Sequence, residues 1–101
     1  MPYIKQEDRT PVMLESIDDL AEEIKVKGDL NYTICQLTGL LIQKTGGMSY
    51  TNVSNWVSGV EGAFHELKRR LLDPYEDWKK DENGDVESWA ELLAQLPKEY
   101  K

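Results

Sequence analysis

Between Tyr50 and Trp78 the apolar residues Tyr50, Val53, Val57, Val60, Phe64, Leu67 and Leu71 recur at alternating spacings of three and four. That period places them on one stripe of a long helix. A single helix cannot cover its own stripe, so the shorter apolar segments on either side, or a second copy of the chain, must pack against it.

Those flanking segments follow the same period. Met13, Ile17, Leu20 and Ile24 predict a first helix, with Asp18, Asp19, Glu22 and Glu23 toward solvent and Gly28 as its stop. Asp29 is placed to cap a second helix over 30–44, whose stripe Leu30, Ile34, Leu37 and Leu41 is widened by Cys35 and Ile42. Lys44-Thr45-Gly46-Gly47 reads as a flexible connection, and Ser49 can cap the long helix. Pro74 removes a backbone donor within the long pattern, which predicts a kink or a new helix capped by Asp73. Asp81 to Asp85 carries a turn signal at Asn83-Gly84, and Val86 can add one short extended pairing. Trp89, Leu92, Leu93 and Leu96 form a last amphipathic helix ended by Pro97. Residues 1–11 read as an extended arm anchored by Tyr3 and Ile4, because Pro2 and Pro11 disfavour helix in the residues before them. The fold class expected is therefore all-α: one domain over 1–101, a small bundle of about four helices around one long central helix, with residues 87–101 as a C-terminal helical extension.

A second stripe on the long helix consists of Asn52, Asn55, Gly59, Gly62, Glu66 and Arg69. Each interior glycine costs about 1 kcal/mol relative to alanine. Close approach of another backbone or of a flat ligand would compensate. The surplus of apolar surface over what two short helices can cover predicts a homo-oligomer, a dimer or higher, with the N-terminal arm as the element to exchange.

Composition narrows the functional classes. The chain of 101 residues has 12 Lys plus Arg against 19 Asp plus Glu, a net charge of −7, which opposes binding of long nucleic acid through its phosphates. No apolar run approaches a membrane span, and residues 1–11 lack the apolar core of a signal peptide, so a cytoplasmic address is expected. One cysteine, Cys35, in an apolar pattern reads as a small buried hydrophobe.

MPYIKQEDR at 1–9, GDLNY at 28–32, SYTN at 49–52, ELKRR followed by DPYED between 66 and 77, and ENGDV at 82–86 together resemble an uncharacterised family of small phage and prokaryotic proteins, a domain of unknown function. The resemblance covers residues 1–86 and carries no established activity. A phage setting implies accessory genes, among which proteins that neutralise host defences are frequent.

No catalytic constellation is evident in the residues themselves. One Cys and one His make a nucleophile–base pair remote and leave structural zinc short of ligands. For a magnesium-dependent nucleotide pyrophosphatase the nearest acids are Glu61 with Glu66 and Glu82 with Asp85, which are poorly spaced. No cofactor, metal or catalysis is expected. Aromatic faces, amides and arginines suit a phosphorylated nucleotide better, with Tyr32, Tyr50 and Tyr75 as stacking platforms, Asn52 reading an edge, and Arg69 and Arg70 holding phosphate. Read with the resemblance, this gives a sequestering protein for a nucleotide-derived host defence signal. The alternative is an acidic inhibitor of a host protein, with Glu76, Asp77, Asp81, Glu82, Asp85 and Glu87 as its face.

Overall fold

In a computed structural model, residues 2–100 are described, with nothing stated for the side chain of Tyr100. The chain is all-α: no strand occurs among the described residues. Its helices are α1 (Pro11–Glu23), α2 (Lys27–Lys44), α3 (Tyr50–Leu67), α4 (Asp73–Asn83) and α5 (Glu87–Ala94). A π-helical turn, Lys68–Leu72, joins α3 to α4, and single 3-10 turns lie at Gln6–Asp8 and Lys98–Tyr100. The contacts divide the chain into two compact units, Met1–His65 and Glu66–Lys101.

In the first unit the start of α1 is set by Thr10, whose hydroxyl accepts the Met13 N–H at 3.2 Å, with Pro11 at the first position where a missing N–H costs nothing. The arm is thus shorter than expected. Gln6–Asp8 forms a 3-10 turn, and the Arg9 Nε donates to the Ile4 carbonyl at 3.1 Å. The first helix ends at Glu23, before Gly28, which lies inside the first turn of α2. Asp29 acts as a cap from a position two residues into that helix: its carboxylate accepts the Lys25 and Val26 amides at 2.9 and 3.3 Å.

In the second unit Pro74 lies in the first turn of α4, as one of the two expected outcomes has it, but Leu72 rather than Asp73 stands at the N-cap and the backbone before it stays helical. Leu67, Leu72 and Asp73 all keep αR angles, and the Asp73 N–H donates to the carbonyl of Lys68, five residues back. Proline lacks the N–H that would answer the carbonyl four residues earlier, and its ring crowds that carbonyl. A widened turn just before it accommodates both effects. Helix α4 then runs through Asn83, so the expected turn begins only at Gly84 (φ 88°), which caps it. Val86 is extended without a strand partner and leads into α5, its N–H accepted by the Asp85 carboxylate at 2.7 Å.

The expected burial of the long stripe is not met within one chain. Val53 is half-buried, but Val57, Val60, Phe64, Leu67 and Leu71 are exposed, Phe64 to 57% and Leu71 to 67%. Tyr3 and Ile4, expected as buried anchors, are exposed as well. No described residue is fully buried, and the chain exposes 9245 Å². Two separate compact bodies of the sizes of the two units would together expose only about 7,000 Å². The reason for the mismatch is periodicity: it identifies the face that must be covered without saying which chain covers it.

Gly47 lies at φ 81° in the α2–α3 connection, a region that L side chains disfavour. Gly47→Ala is expected to destabilise the protein by about 1–2 kcal/mol. A chemical-denaturation midpoint equal to that of the parent protein would contradict that backbone assignment.

Candidate functional site

The connection between α2 and α3 is held by a polar clasp. Helix α2 ends at Lys44, and the chain reverses through Gly46 (φ 129°) and Gly47, whose N–H donates back to the Ile42 carbonyl at 2.9 Å. The Asn52 Nδ2 amide donates to the carbonyls of Ile42 and Gly47, at 3.1 and 2.9 Å. Its Oδ1 lies 3.0 Å from the Thr45 hydroxyl, which is also 2.7 Å from the Leu41 carbonyl, so one hydroxyl proton serves either acceptor. The Trp56 indole N–H donates to that same Thr45 oxygen at 2.9 Å. Ser49 completes the arrangement by accepting the Asn52 N–H at 3.2 Å. Every polar atom of the Asn52 side chain is therefore engaged within the hairpin.

The aromatic candidates in this unit face water. Tyr50, at the start of α3, is 89% exposed, and Tyr32, on the first half of α2, is 69% exposed. Tyr32 lines a shallow depression with Lys27, Gly28, Asn31 and Cys35. A ring, an amide and an ammonium thus stand together on the first two turns of one helix. Lys27 carries no weight in the sequence pattern, because α2 there reads as beginning after Asp29; the helix start at Lys27 brings it to the Tyr32 face. Cys35, expected to be buried, is exposed, with its sulfur 3.7 Å from Asn31 Oδ1.

The remaining candidates belong to the second unit. Arg69 is held bidentately by Glu66, Nε to Oε1 at 3.0 Å and Nη2 to Oε2 at 3.1 Å. Arg70 is its neighbour on the π-helical turn, and Lys68 Nζ pairs with the Asp73 carboxylate at 2.9 Å. Tyr75 stacks obliquely on Trp78, ring centroids 5.7 Å apart, while the Lys79 ammonium sits 5.1 Å from the Trp78 ring centre. Farther along, Glu76, Asp77, Lys80, Asp85 and Trp89 line an open cleft in which acids and lysines alternate. The six sequence candidates thus divide as Tyr32, Tyr50 and Asn52 in one unit and Arg69, Arg70 and Tyr75 in the other.

The acids considered for a metal are differently engaged. Glu61 lies 3.5 Å from His65, and Glu66 holds Arg69. Among the described residues no group of three or more His, Cys, Asp or Glu side chains converges. No helix among them is long and apolar enough to cross a membrane.

The chain belongs to the family described as Domain of unknown function (DUF6899), which matches residues 1–86. No match is found among curated proteins or among solved structures. All six sequence candidates, the Asn52 clasp and the Lys27–Tyr32 depression fall within the matched span, whereas α5 lies beyond it.

Asn52→Ala leaves the Ile42 and Gly47 carbonyls without their side-chain donor. The expected result is a loss of about 1–3 kcal/mol, read as a fall in the melting temperature of the unliganded protein. An unchanged melting temperature would mean that the clasp does not hold α2 to α3, and would return Asn52 to the ligand-binding candidates.

Proposed function

We propose that the protein is a non-catalytic binding protein that assembles from several copies and sequesters a small phosphorylated nucleotide. The observation that carries the ligand half of this reading is the Tyr32 depression. Its ring lies open to water, which costs hydrophobic free energy unless something stacks on it, and Lys27 and Asn31 stand beside it with the charge and the amide a nucleotide uses. Tyr50, equally uncovered, Tyr75, and the cationic run Lys68-Arg69-Arg70 are the other groups of this chemistry. The family resemblance to phage and prokaryotic proteins directs the proposal to a host defence signal, with the host cytoplasm as the place of action. Assembly is supported by the apolar helix faces that the single chain leaves uncovered. Asn52 supports the reading indirectly, by fixing the hairpin that carries Tyr32 and Tyr50.

An acidic inhibitor of a host protein is the competing reading, with α4 and the start of α5 supplying Glu76, Asp77, Asp81, Glu82, Asp85 and Glu87. The two readings separate in one set of measurements. A thermal-shift screen with linear and cyclic nucleotides and ADP-ribose-type compounds should find a ligand that adds about 2.7 kcal/mol at one hundred times its dissociation constant. Titration calorimetry should then show binding weakened ~5- to 150-fold in Tyr32→Ala, the range expected for one stacked base. Absence of any nucleotide shift, together with stoichiometric recovery of a host protein, would replace sequestration by the acidic-face reading.

A further inference from the structure

Helices α2 and α3 of the first unit line an open groove of ≈ 560 Å³ that adjoins the Tyr32 depression at Cys35. Ile34, Gly39 and Ile42 line it from α2, and Val57, Val60 and Phe64 from α3. Its apolar walls are open: Ile34 is 38% exposed, Val60 39% and Val57 51%. The polar groups at its edge already have partners. The Thr38 hydroxyl donates to the Ile34 carbonyl at 2.6 Å, and Glu61 faces His65 at 3.5 Å. Nothing in the groove calls for a polar ligand.

Gly39 adds a steric argument. It sits in the middle of an 18-residue helix, where glycine is destabilising relative to alanine, yet a Cβ built on it meets nothing within 4 Å. The chain itself gives no packing reason for the missing side chain. A backbone arriving from outside does.

We propose that a second copy of the chain seats its own α2–α3 hairpin in this groove. The two hairpins then close as a two-fold four-helix bundle, with the Gly39 residues at the point of closest approach. The proposal rests on the assembly half of the reading above and is independent of the ligand. Area favours a second copy as the occupant. The chain exposes roughly 2,000 Å² more than two compact bodies of its size would, which exceeds the 600–1,500 Å² typical between domains of one chain. That excess is spread over both units, and the groove supplies part of it. A two-fold contact also sets apolar groove against apolar groove, and four helices then share one core without a new partner.

The test combines one variant with one measurement on the unaltered protein. Sedimentation equilibrium should give at least twice 11.6 kDa for the parent chain. Gly39→Leu fills the groove without adding charge and should raise the dissociation midpoint at least tenfold. Cys35 also lines the groove, four residues and therefore about 6 Å along α2 from Gly39. With the two α2 helices antiparallel about a two-fold axis at Gly39, the thiols stand about 12 Å apart along the helix direction, within reach of a six-carbon bis-maleimide, so the parent protein should cross-link to a covalent dimer through Cys35. A parent protein that assembles but does not cross-link, or a folded Gly39→Leu that assembles as tightly as the parent, would overturn the groove as the seat and leave assembly standing. If Gly39→Leu does not fold, the cross-link alone decides. A parent protein at 11.6 kDa throughout the accessible concentrations would remove both this inference and the assembly half of the proposed function.

Discussion

The clasp of Asn52 on the end of α2 is the interaction on which the first unit depends. A helix hairpin joined by two consecutive glycines at positive φ has a connection that many conformations satisfy. Two carbonyls, one hydroxyl and one indole N–H meeting through Asn52 and Thr45 select one of them. The Ile42 carbonyl lies among the last four of α2, which have no acceptor role inside the helix, so the clasp also closes that end. With the hairpin fixed, Ile34, Gly39 and Ile42 of α2 and Val57, Val60 and Phe64 of α3 become the two walls of one groove.

The second unit solves a different backbone problem. Its helix continues across Pro74 because the preceding turn opens to π geometry, and this keeps Lys68, Arg69 and Arg70 on helical backbone directly before the acidic run of α4. Glu66 and Asp73 then take up Arg69 and Lys68. Of these pairs the exposed Lys68–Asp73 contributes little to stability, whereas Glu66 is only 19% exposed and grips Arg69 bidentately. Their effect is on position: they hold two cationic side chains along the helix surface, where a phosphate ligand would have to compete with carboxylates already in place.

Both units share one deficit. No buried side-chain N or O among the described residues lacks a hydrogen-bond partner, while the apolar faces that should drive folding remain in water. Marginal stability in proteins is a small difference between large terms, and the largest favourable one is apolar burial. A chain that completes its local structure without that term leaves apolar faces to be covered, and the proposed assembly would cover them. This links the fold to the proposed function, because an assembled protein can surround a small ligand that one open surface of this size only touches.

The sequence by itself determined the all-α class, the run of helices and the cap at Ser49, while the Lys44-Thr45-Gly46-Gly47 connection, expected to be flexible, is a hydrogen-bonded turn. The first three follow from period and capping chemistry, properties of a few neighbouring residues. Helix ends were legible less sharply, since Asp29 caps from inside α2 rather than before it, and Pro74 is absorbed by a π turn where periodicity allowed a break. The family relation was legible too: a family of unknown function was expected over residues 1–86, and that is the span the family matches. Only the tertiary structure showed which partners the polar candidates have within the chain. Asn52 looked like a ligand group beside Gly59 on one helix stripe, and it is instead consumed by carbonyls five and ten residues earlier in the chain. Trp56 gave no periodic signal as a polar anchor, because an indole N–H finds its partner across a turn. The Val57–Leu71 stripe marked a face to be covered, but a stripe has the same spacing whether its cover is the same chain or another. The physical reason is common to all three: periodicity is local, whereas hydrogen-bond partners and burial are set by what the folded chain brings near.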